Sequence, residues 1–103
     1  MLQITKDNFK SEVEEHQGLV VIDLYADWCG PCRMLAPILA RLEGVNPDVK
    51  FCKVNVDDEP ELAKLFNVSS IPMVALVKDN TFADVSVGLV SQDKLQALID
   101  ANK

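Results

Sequence analysis

The sequence predicts a three-layer α/β domain, in which a mixed sheet carries helices on both faces. Three observations predict it. Helical and extended apolar patterns alternate through the first half, two extended runs joined by Asp79-Asn80 read as a hairpin, and a helical stripe closes the chain. A length of 103 residues suits one domain, residues 1–103, and 49% hydrophobic content is enough to fill a single core.

In chain order, Leu2 to Ile4 reads as a short strand. Thr5 or Asp7 then caps a helix running to about His16, with Phe9 and Val13 on its apolar stripe and Gly18 ending it. Leu19 to Tyr25 is an apolar, β-branched run without alternation, as expected of a strand covered on both faces. Pro31 suits the first turn of a helix in which Leu35, Ile38, Leu39 and Leu42 recur until Gly44, and Pro37 should kink it. In the strand Phe51 to Val56, Cys52, Val54 and Val56 take one face, and Phe51, Lys53 and Asn55 the other. Asp57 to Glu59 reads as a solvated acidic turn, and Pro60 opens a short helix to about Phe66. Val74 to Val77 pairs with Thr81 to Val87 as the hairpin. The last helix follows Ser91, with Leu95, Leu98 and Ile99 on its stripe.

Charge narrows the function. Sixteen acidic against 10 basic residues give a net charge of -6, which repels phosphate backbones and anionic headgroups. Nucleic-acid and membrane partners are therefore not expected. Met1 to Lys10 shows no secretory signal, and Leu19 to Ile22 is too short to span a bilayer, so a cytoplasmic protein is expected, by default a monomer. Three cysteines in such a compartment do not make a disulfide framework.

Two of them stand in Trp28-Cys29-Gly30-Pro31-Cys32. A dithiol at the start of a helix can close a disulfide within one turn, and the helix dipole favours a thiolate there. Cys29, just before the helix, is expected to be the more exposed sulfur and the nucleophile toward a substrate disulfide. Cys32, facing inward, then attacks the mixed disulfide and releases the reduced substrate. Gly30 permits the tight approach, and Pro31 fixes the turn. The alternatives are a structural disulfide and half of a zinc site. A loop of about four residues would stabilise the fold by only about 2 kcal/mol, and only Cys52 and His16 remain as further zinc ligands, neither in a ligand-like pair. No metal is expected.

Asp23 is the single charge in its buried strand, where desolvation should raise its pKa and let it take the proton from Cys32. A structural Asp satisfied by hydrogen bonds is the alternative. Lys53 either tunes that acid or is a solvated lysine at a strand end. Trp28 is better placed to cover the exposed sulfur or touch substrate than to fill the core. Cys52 reads as core, and His16 as a solvated residue at a helix end.

With Asp23, Trp28-Cys29-Gly30-Pro31-Cys32, Pro37, Lys53, Ile71-Pro72 and Gly88 in order, the whole chain resembles the thioredoxin family. The resemblance implies the thioredoxin fold, a central five-stranded mixed sheet flanked by four helices, with Pro72 in a cis peptide bond against the cysteines. From the residues alone, Ile71-Pro72 reads only as the start of a strand. The resemblance further implies that Trp28, Ile71, Pro72, Val87 and Gly88 line a shallow apolar groove for an extended protein substrate. It implies a redox-active Cys29-Cys32 disulfide, no bound cofactor, and re-reduction by a thioredoxin reductase drawing on NADPH. Met73, Leu89, Ser69 and Asn80 depart from the usual family pattern, and Met73 and Leu89 are expected to alter the groove.

Overall fold

A computed structural model describes residues 1–103. Its five strands are β1 (Leu2–Gln3), β2 (Leu19–Tyr25), β3 (Lys50–Asn55), β4 (Met73–Lys78) and β5 (Thr81–Val87), in the sheet order β1-β3-β2-β4-β5. The first three run parallel, whereas β4 is antiparallel to β2 and β5 to β4. The α-helices are α1 (Gly30–Val45), α2 (Pro60–Leu65) and α3 (Gln92–Asn102), and a π-helical segment spans Lys10–Glu14. The fold is the expected one.

Alternation along the strands builds two cores. Val20, Ile22 and Leu24 of β2 meet Cys52 and Val54 of β3 on one face, under Val13 of the π-helical segment and Leu62 of α2. Leu19 and Val21 meet Phe51 on the other face, under Leu35, Leu39 and Leu42 of α1 and Leu95 and Ile99 of α3. Burial of both faces explains why β2 lacks polar alternation. It also places Asp23, which shares the face of Leu19 and Val21, beneath α1.

The first helix differs from expectation. Thr5 does order the turn, its Oγ1 accepting from the Asp7 N–H while Asn8 Oδ1 accepts from the Thr5 N–H. The regular part is confined to Lys10–Glu14, where the Glu15 N–H donates to Lys10 O, five residues back. Phe9 and Val13 both pack into the core, and their spacing does not distinguish an α-turn from a π-turn. Helix α1 runs unbroken across Pro37, which lies on its exposed side. The hairpin turn places Asp79 at φ 50° and Asn80 at φ 61°, the left-handed pair of a tight β-turn. Asparagine tolerates that conformation, so the departure at Asn80 leaves the hairpin intact.

Candidate functional site

The central strand β2 delivers its C-terminal end to the start of α1, and the dithiol stands at that junction. Cys29 is the N-cap of α1, in extended conformation, and its Sγ accepts the Cys32 N–H at 3.2 Å. The two cysteines are joined as a disulfide with their Cα atoms 5.2 Å apart. A thiolate formed at Cys29 on reduction faces the unpaired N–H groups of the helix terminus, which stabilise negative charge. The two residues are equally buried, each 4% exposed, so Cys29 is not the more exposed of the pair as expected. Both pack with Ala26, and Tyr25, Val56 and Ile71 close around them.

The Ile71-Pro72 peptide bond is cis. Pro72 is buried beside the start of β4, and its carbonyl accepts the Gly88 N–H at 2.8 Å. Gly88 stands at φ 91°, a conformation open to glycine at little cost, and thereby ends β5 next to Pro72. Val87 pairs with Met73 across the strands and is exposed, as is Leu89. Met73 is buried in the core and at the same time lines a surface pocket with Ser69, Ser70, Val85 and Val87.

Trp28 stands 69% exposed beside the disulfide and is held there by a hydrogen bond from its Nε1–H to Asp57 Oδ2 at 2.9 Å. Asn55 in turn shapes that turn, its Oδ1 accepting the N–H groups of Asp57 and Asp58. Asp57 read as part of a solvated turn; its link to Trp28 crosses 29 residues of sequence and left no local signal.

Asp23 is 5% exposed, and its Oδ1 has no hydrogen-bond partner. Burial pushes its pKa up from 3.8 to about 7, against a smaller lowering by the Lys53 ammonium. No protein donor reaches Asp23 Oδ1. Asp23 is paired in register with Lys53, and both line a cavity of about 200 Å³ together with Tyr25, Ala26, Asp27, Cys32, Arg33 and Ala36. Cys29 does not line it. Tyr25 went unnoticed in the sequence, although it stands two residues from Asp23 on the same strand and hence on the same face.

Cys52 is fully buried and free, its thiol pushed up to about 11 mainly by burial. Its reading as core holds. His16 lies half-buried just after the π-helical segment, its N–H donating to Val13 O.

A dithiol at a helix N-terminus, a cis-proline loop beside it and a buried carboxyl behind it define a thiol-disulfide oxidoreductase. The thioredoxin family model matches residues 1–101, and this chain belongs to the thioredoxin family. It is 45% identical over 97 residues to a thioredoxin of Chlamydia caviae, covering 94% of this chain and 93% of that one. It is 42% identical to a thioredoxin of Chlamydia muridarum over 104 residues, all of both chains, and 34% identical to one of Pseudomonas aeruginosa over 99% and 95%. The X-ray structure of Fasciola hepatica thioredoxin superposes with a TM-score of 0.93 at 34% identity, covering 100% of each chain. No helix is long and apolar enough to cross a membrane.

Proposed function

We propose that the protein reduces disulfides in other proteins, with Cys29 as nucleophile, Cys32 as resolving thiol and Asp23 as proton acceptor. The observation that carries this division is the asymmetry of the pair: Cys29 caps the helix, whereas Cys32 lines the cavity that Asp23 lines. The Cys29 thiolate attacks one sulfur of the substrate disulfide, forming a mixed disulfide, and the other substrate sulfur departs as a thiolate. Cys32 then gives its proton to the Asp23 carboxylate across the cavity, whose volume admits water. The Cys32 sulfur attacks Cys29 Sγ, the mixed disulfide breaks, and the second substrate sulfur leaves. Two electrons pass to the substrate, and Cys29 and Cys32 end as the disulfide.

Gly30 and Pro31 set the turn between the sulfurs, and Lys53 lowers the pKa of Asp23 enough to keep part of it ionised near neutrality. Trp28, Ile71, Pro72, Val87 and Gly88 form the apolar surface on which an extended substrate segment lies. A thioredoxin reductase drawing on NADPH returns the electrons, and no cofactor resides on the chain. The protein works as a monomer in the cytoplasm, where a reducing poise keeps the dithiol ready.

The test is reduction of insulin disulfides with NADPH and a thioredoxin reductase, comparing the intact protein with Cys32→Ser. Turnover lost in the variant is the expected result. Absence of turnover by the intact protein, with dithiothreitol replacing the reductase as well, contradicts the proposal. For Asp23, stopped-flow traces of Asp23→Asn should show resolution slowed more than mixed-disulfide formation. Equal slowing of both steps removes Asp23 from the role of base.

A further inference from the structure

Lys53 and Asp23 are register partners on adjacent parallel strands and face the same cavity, yet no ion pair joins them. The ammonium lies instead over the ring of Tyr25, 5.9 Å from its centroid. That ring is moored. Tyr25 reaches from β2 past β3 to β1, where its hydroxyl donates to Gln3 Oε1 at 3.2 Å, and Gln3 Nε2–H donates back to Lys53 O at 3.4 Å. Gln3 is itself the register partner of Lys53 on β1. The aromatic face attracts the cation and offers it a position other than the carboxylate.

We propose that Tyr25 is a positioning residue whose ring, tied to Gln3, holds the Lys53 ammonium clear of Asp23, so that the carboxyl remains unpaired and free to exchange a proton with Cys32. The inference rests on the reading of Asp23 as proton acceptor. An ammonium in direct contact would hold the carboxylate ionised and make it a poor base near neutral pH. The other titratable and charged groups around the cavity are Asp27, Arg33 and Cys32. Arg33 Nη1 is engaged with Asp27 O at 2.7 Å and Asp27 Oδ2 with Asn55 Nδ2 at 3.5 Å, while the β4 neighbour of Asp23 is the apolar Val74. Lys53 is therefore the cation that Tyr25 governs.

The test is an NMR titration of the Asp23 carboxyl carbon in the oxidised full-length protein, where the closed disulfide removes the thiols from the titration. In Tyr25→Leu the midpoint should fall from about 7 by about one pH unit or more as Lys53 swings to the carboxylate. Tyr25→Phe keeps the ring face but loses the tie to Gln3, so its midpoint should fall less than that of Tyr25→Leu. Tyr25→Met supplies bulk without a ring and carries the same expectation as Tyr25→Leu if that variant does not fold. In a Lys53→Met background the Tyr25→Leu change should leave the midpoint where that background sets it. An unchanged midpoint in Tyr25→Leu, or an equal fall without Lys53, overturns the proposal, the second because hydration alone would then explain the change. The acid limb of the resolution rate should follow the midpoint. If the midpoint moves as expected but Asp23→Asn resolves at the parent rate, the base assignment fails and the positioning by Tyr25 stands.

Discussion

Replacing Asp23 by asparagine should remove most of the change in stability of this protein between pH 5 and pH 8. The folded-state pKa is raised from 3.8 to about 7, so between those values the folded protein binds a proton that the unfolded chain has released. Stability from this group is therefore fully present below 3.8 and lost as pH rises through 7. The full difference corresponds to about 4 kcal/mol at 1.36 kcal/mol per pH unit, of which roughly 2.5 kcal/mol falls between pH 5 and pH 8. Because Asp23 is 5% exposed, solvent screening reduces this little. Urea unfolding of the oxidised parent and of Asp23→Asn at both pH values gives four free energies. The parent should lose about 2.5 kcal/mol more than the variant on going to pH 8. Costs of the buried amide are the same at either pH and cancel. Equal losses in the two proteins would refute the claim that an unpaired, desolvated carboxyl lies under α1.

Four further perturbations separate site from scaffold. Asp57→Ala removes the hydrogen bond to Trp28 and should lower kcat/KM for protein disulfides about 3- to 10-fold, the equivalent of about 1 kcal/mol, with the urea midpoint nearly unchanged. Asn46 is 1% exposed and exchanges two amide hydrogen bonds with Gln96 while donating to Leu42 O, joining α1 to α3. Asn46→Ala should therefore destabilise by about 1 to 3 kcal/mol in urea melts and leave turnover alone. Leu89→Ala, at an exposed position after Gly88, and Met73→Thr, in the pocket beside Val87, should each change the relative rates on different disulfide substrates, and Met73→Thr should also cost about 1 to 3 kcal/mol of stability through the core.

The most legible parts of the fold were those in which burial leaves an unbroken mark. The run from Leu19 to Tyr25 is the observed β2 to the residue, because a strand covered on both faces has no reason to alternate. The same run made Asp23 conspicuous, and its desolvation followed from that setting alone. The first helix was poorly legible, because Phe9 and Val13 mark one apolar face whatever hydrogen-bond period connects them. The packing of Val56 and Ile71 against the cluster of Ala26, Cys29 and Cys32 and the mooring of Trp28 by Asp57 join distant parts of the chain, and neither leaves a pattern within a short window. Pro72 was legible through resemblance, since the dipeptide by itself also suits the start of a strand. Lys53 was ambiguous for a physical reason: half-buried, with its stem beside Asp23 and its ammonium over Tyr25, it is neither a plain ion-pair partner nor a solvated lysine.

Trapping of the mixed disulfide tests the central claim most directly. Reduced Cys32→Ser, mixed with a disulfide-bearing protein and analysed by peptide mass mapping after alkylation, should accumulate a one-to-one adduct joined through Cys29, while the parent accumulates none. An adduct through Cys52, or no adduct in Cys32→Ser together with unimpaired substrate reduction, would contradict the two-cysteine account.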